Sequence, residues 1–147
     1  MPGLTSGTVI NALKTRPGAL SSILHLEDFA EPDGVADGLA QKWTRSGGET
    51  LKATQLRRFF HAIKKVERSL KGRETETQAL PPEVRQQLLP VMPELAYARG
   101  RKLIPQDFYD LMKTCLQSEK LQTVQDFNVF VAFLTAILAY HKYHDKN

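Results

Sequence analysis

The stretch Thr123 to Tyr143, TVQDFNVFVAFLTAILAYHKY, carries apolar residues on nearly every face of the helix it would form. Thr123 followed three residues later by Asp126 is a capping box, in which the hydroxyl accepts from the N3 amide and the N3 carboxylate reaches back. Val124, Phe127, Phe130, Leu134, Ile137, Leu138 and His141 then follow helical spacing. Val129, Val131, Phe133, Ala136 and Tyr140 fill the remaining faces. A helix of this kind is packed on several sides or shared with another subunit. The uninterrupted apolar run from Val129 to Tyr140 falls short of the about 20 residues a bilayer needs. The sequence therefore predicts a central core helix with surplus apolar surface available to a neighbour.

The 147 residues suffice for one domain with a real core, and a hydrophobic share of 41% is ordinary for a soluble globular chain. Residues 1–30 are punctuated by Gly, Pro and Ser and read as an N-terminal extension, partly ordered or disordered; residues 31–147 read as a helical bundle domain. The start has no continuous apolar run, so no signal peptide is expected. The single Cys115 cannot form an internal disulfide, which fits a reducing, cytoplasmic setting. It is in phase with Phe108, Leu111 and Met112, which makes it a buried hydrophobe rather than a nucleophile.

Charge is distributed unevenly. Residues 1–50 sum to −2, residues 51–105 to +7 and residues 106–147 to −1. A basic surplus confined to one third of the chain points to a local polyanion-binding surface. Most of it falls on TQLRRFFHAIKKVERSLK, a predicted helix from Thr54, its N-cap, to Lys71. Leu56, Phe59, Phe60, Ile63, Val66 and Leu70 form its apolar face at 100° per residue. Arg57, His61, Lys64, Arg68 and Lys71 share the opposite face, flanked by Arg58 and Lys65. A solvated face normally mixes signs in i,i+4 pairs, whereas Glu67 is the only acid here. The stripe is either a phosphate-binding surface or a plain solvated face.

Other helices are predicted over VADGLAQKWTRS, weakened by Gly34 and Gly38, and from Pro81–Pro82 onward, with a kink or a break into two short helices at Pro90 and Pro93. Gly100 is a natural C′ residue. Arg99, Arg101 and Lys102 around it fit anion binding and helix-end capping equally. A further helix begins at Pro105–Asp107 and carries Phe108, Leu111, Met112, Cys115 and Leu116 inward. No segment alternates like a strand. The expected fold is all-α, a small bundle of about five helices.

No Gly-rich phosphate loop, zinc spacing or catalytic triad is recognisable. His141 and His144 are three apart, but no third ligand accompanies them, and a frayed polar end is expected there. His61 has no carboxylate in its helix placed to orient it as a base. Asp107 is best explained as first-turn charge. No catalytic residue, metal ligand or cofactor is expected.

Three blocks together resemble a known family. They are Thr54-Gln55-Leu56-Arg57-Arg58-Phe59-Phe60 with its continuation Ile63 to Val66, then Leu89-Pro90 followed by Leu95 to Arg101, and Phe127 to Lys142. Their order and spacing over residues 33–142 are similar to the small subunit of the type III-A CRISPR (Csm) effector complex. The resemblance implies a cytoplasmic, non-catalytic subunit for antiviral defence that needs no cofactor. It implies stacking in several copies beside other Csm complex subunits, and contact with guide RNA and target RNA. On this reading the RNA-binding candidates are Arg57, Arg58, His61, Lys64, Lys65, Arg68, Lys71, Arg99, Arg101 and Lys102. The alternative is a structural helical adaptor whose basic face is only solvated. An autonomous ribonuclease using His61 is the remaining, least favoured reading.

Overall fold

A computed structural model describes residues 4–45, 47–70 and 75–145. Nine helices follow one another among them: α1 (Val9–Thr15), α2 (Leu20–Ile23), α3 (Leu26–Phe29), α4 (Val35–Thr44), α5 (Ala53–Arg68), α6 (Pro82–Leu88), α7 (Val91–Gly100), α8 (Gln106–Cys115) and α9 (Val124–His144). The fold is all-α, and five of these helices, α4, α5, α7, α8 and α9, are ten residues or longer. The extra elements are short turns of helix in residues 9–29 and the break between α6 and α7 at Leu89–Pro90. Pro90 cannot donate to a continuing ladder, so the chain restarts there with Pro93 in the first turn of α7.

Helix α9 is the axis. Phe127, Phe130, Phe133, Leu134 and Ile137 are fully buried, and α2, α3, α4 and α5 all pack against it. By length and composition alone α9 could cross a membrane, yet half of its most apolar window lies inside the bundle. Aromatic rings tie it to its neighbours. Phe130 meets Phe59 of α5 at 6.5 Å between centroids, Phe59 meets Phe108 of α8 at 5.8 Å, and Phe108 meets Trp43 of α4 at 5.3 Å. All three contacts are edge-to-face, the arrangement the ring quadrupoles favour. Cys115 is fully buried, and burial pushes its thiol up to about 12. This is the inert buried hydrophobe expected of it.

The capping box of α9 forms as its spacing predicts, and the fold adds to it. Thr123 Oγ1 accepts from the Asp126 amide, while Asp126 Oδ2 accepts from the amides of Thr123 and Gln122. Asp126 Oδ1 accepts from the amide of Ser21, 105 residues away, so one carboxylate also anchors α2. Burial opposes ionisation of Asp126, but the bonds from Ser21, Thr123 and Gln122 outweigh it and hold the carboxyl below its usual range. Lys120, in the preceding turn, is buried too, and its Nζ donates to the carbonyls of Arg16 and Gly18.

At the other end of α9 the expected frayed terminus is an ordered junction. His141 is buried, and its Nε2–H donates to the Leu51 carbonyl at 2.5 Å. His144 donates to Asp37 of α4 at 2.5 Å, and the Tyr140 hydroxyl donates to the Ala30 carbonyl at 2.6 Å. The two histidines therefore join separate partners instead of converging. The glycines that weakened α4 in the sequence are close approaches. A Cβ at Gly34 would lie 2.9 Å from the Asp28 and Glu31 carbonyl oxygens, and one at Gly38 would lie 2.5 Å from Ser6 Oγ. Tertiary packing overrides the helix penalty there.

Two outcomes test this core. Phe130→Ala removes the ring linking α9 to α5 and should destabilise the protein by about 3–5 kcal/mol in denaturant unfolding. A depressed folded-state pKa makes the contribution of Asp126 full above the unfolded value of about 3.9 and lost as pH falls through the folded value. Asp126→Ala should therefore lower stability at neutral pH by about 1.5–3 kcal/mol and flatten the acid limb of the stability–pH curve.

Candidate nucleic-acid interface

Helix α5 buries Leu56, Phe59, Ile63 and Val66, as its spacing predicts. Its start lies two residues earlier than expected: Lys52 and not Thr54 is the N-cap, and it makes no side-chain cap bond. Because Phe59 is held between Phe108 and Phe130, the opposite face is turned outward. Arg57, Arg58, His61, Lys65 and Arg68 are exposed there. Lys64 is half-buried and pairs with Glu67 at 2.5 Å. Among the described residues, Arg57, Arg58, Lys65 and Arg68 have no ion-pair partner. Lys71 lies outside the described residues. From Arg57 to Arg68 the stripe runs about 16 Å at 1.5 Å per residue.

The second group of cations divides. Arg99 is half-buried, and its Nη1 donates to Glu49 Oε2 at 2.5 Å and to the Ile104 carbonyl at 2.8 Å. The Glu49 carboxyl is held below its usual range, first by Arg99 and then by the Gln106 amide. Arg99 thus fastens the loop before α5 to the start of α8. Arg101 and Lys102 are exposed. Arg101 Nη1 donates to the Tyr97 hydroxyl at 3.1 Å, with its guanidinium 5.8 Å from that ring's centroid. Gly100 is the last residue of α7 and not its C′ residue. Lys102 takes the left-handed conformation instead, with φ 61°. The Leu103 amide then donates to the Ala98 carbonyl and the Lys102 amide to the Arg99 carbonyl, completing a Schellman motif.

Beside the stripe, α5, α7 and the start of α8 enclose a cleft of about 310 Å³. Phe59, Leu95, Ile104 and Phe108 line it, with Arg58 and Tyr97 also among its walls. Sequence reasoning missed this cleft. The signal available was that α7 carries apolar residues outward as well as inward: Pro93, Ala96 and Tyr97 are all exposed. His61 has no carboxylate partner among the described residues, and no group of three or more His, Cys, Asp or Glu there could hold a metal.

The family model described as Csm2 Type III-A matches residues 30–147. The chain belongs to that family. It is a small subunit of the type III-A Csm complex. The match contains all three blocks read from the sequence and begins at Ala30, just past α3, so α1, α2 and α3 precede it. No curated protein and no solved structure matches the chain.

The strain at Lys102 gives a direct check on this region. A non-glycine residue in the left-handed region costs about 1–2 kcal/mol, partly offset by the greater unfolded-state freedom of glycine. Lys102→Gly should raise thermal stability by about 0.5–1 kcal/mol while removing one exposed cation.

Proposed function

We propose that this Csm2-family subunit is non-catalytic and contacts the phosphate backbone of guide and target RNA through the outward face of α5, helping to assemble the complex for antiviral defence in the cytoplasm. The observation that carries this reading is the set of exposed cations Arg57, Arg58, Lys65 and Arg68 without ion-pair partners among the described residues. His61 and Lys64 complete the surface, with Lys71 beyond it in sequence. Free guanidinium and ammonium groups on a rigid helix meet phosphates without reading bases. That suits a subunit whose RNA partners differ in sequence from one complex to the next. Arg101 and Lys102 extend the basic surface at the end of α7, whereas Arg99 serves Glu49. Further partners on this reading are the other Csm subunits and neighbouring copies of the chain.

Phosphate neutralisation releases counterions, so affinity should fall with salt by about 0.7–0.9 logarithmic units per contact. Arg57→Ala combined with Arg68→Ala should weaken RNA binding by a similar factor for every sequence and reduce the salt slope by about one to two units. Stability should change by no more than about 0.5 kcal/mol per site, because both side chains face solvent. A double variant that enters the complex normally and binds guide–target RNA with unchanged affinity and slope would make the stripe a solvated face. The structural-adaptor reading would then hold.

A further inference from the structure

The cleft beside α5 is not needed for backbone contact, yet its chemistry is specific. Its floor is Phe59, Leu95, Ile104 and Phe108, and its polar groups, Gln55, Arg58 and Glu94 among them, are few. An apolar hollow with a few polar groups is the usual form of a small-ligand site, and about 310 Å³ lies at the small end of that class. One wall is Tyr97, which is 64% exposed although it is among the largest apolar side chains of the molecule. The Arg101 guanidinium lies 5.8 Å from the Tyr97 ring centroid. An aromatic face next to an arginine is the platform on which unpaired bases stack.

We infer that this cleft receives a single unpaired nucleobase from an RNA strand whose phosphates lie along α5. The inference rests on the proposed backbone contact, because Arg58 belongs both to the basic face of α5 and to the cleft wall. A strand following the cations would therefore pass the mouth with its sugar–phosphate linkage beside Arg58, and its base could turn inward against Tyr97. Charge favours a nucleotide over an apolar protein side chain as the occupant. The lining itself holds one cation, Arg58, and one acid, Glu94, and Arg101 against the Tyr97 wall tips the rim to positive; all three are exposed. An apolar anchor would leave both cations unanswered, whereas a nucleotide supplies a ring for the floor and a phosphate for the rim. Stacking is tolerant of base identity, so the site selects for an unpaired base and not for a sequence.

The test uses the full chain at low salt with two RNA probes of equal length: a single strand carrying one 2-aminopurine, and a fully paired duplex. Wild type should quench the 2-aminopurine by stacking. Tyr97→Ala should lower single-strand affinity about fivefold to a hundredfold, leave the salt slope unchanged and leave duplex binding unaffected. Tyr97→Trp should restore the quench. Ala98→Leu, which fills the cleft while keeping Tyr97, should abolish it. RNA binding with a normal salt slope but no quench, or with no loss in Tyr97→Ala, overturns the cleft assignment and leaves the α5 reading standing. Wild type that binds neither probe overturns both. If Tyr97→Ala instead abolishes association with another Csm subunit while single-strand affinity is unchanged, the cleft docks protein and the nucleobase assignment is wrong.

Discussion

Phe59 sits with its ring edge-to-face against both Phe108 and Phe130. On that contact depends the direction in which α5 presents its charge. An amphipathic helix has only one rotational setting that buries its apolar stripe, and the aromatic contacts to α8 and α9 select it. Burying Leu56, Phe59, Ile63 and Val66 leaves Arg57, His61 and Arg68 in solvent with little conformational choice except in their side chains. The hydrophobic effect thus sets the orientation of an electrostatic surface to which the cations themselves contribute no packing. Two of these rings, Phe59 and Phe108, also close one side of the cleft, so stripe and hollow keep a fixed relation to each other.

Polar tie points hold the helices in register around α9. The Asp126 carboxylate accepts from Ser21, Gln122 and Thr123, and Lys120 donates to Arg16 and Gly18. Asp107 accepts from Trp43 Nε1 at 2.8 Å and faces Lys42 Nζ at 2.5 Å, which docks α8 on α4. His141 and His144 close the far end. Each tie satisfies a buried group that would otherwise cost about 1–3 kcal/mol, and each links segments distant in sequence. They specify which faces meet, a selectivity that apolar contacts alone provide less sharply.

Formal charge and available charge differ across the basic third of the chain. Arg99 is held by Glu49, Lys64 by Glu67, and Arg85 by the carbonyls of Leu121 and Ser118. Arg57, Arg58, Lys65 and Arg68 keep theirs. Within residues 51–105 the exposed cations without an ion-pair partner among the described residues are therefore these four on α5 together with Lys52, Arg101 and Lys102. A carboxylate partner offsets a cation's charge, whereas a carbonyl partner orients the cation and leaves its charge in place.

The sequence by itself determined the fold class, the central helix with its capping box, the break at Pro90, and the two faces of α5. Each of these depends on residues close together in the chain, where a period of 3.6 or a three-residue spacing states the physics directly. The family was legible for the same reason, in three local blocks whose order the family match contains. Tertiary structure alone decided the roles of His141, His144, Lys120 and Arg99, whose partners lie between 5 and 107 residues away. It also decided that Lys102 and not Gly100 takes the left-handed turn, that Gly34 and Gly38 are close contacts, and that Tyr97 faces a cleft. Hydrogen-bond partners, empty space and close approach are properties of surfaces brought together by folding, and no local pattern in the chain encodes them.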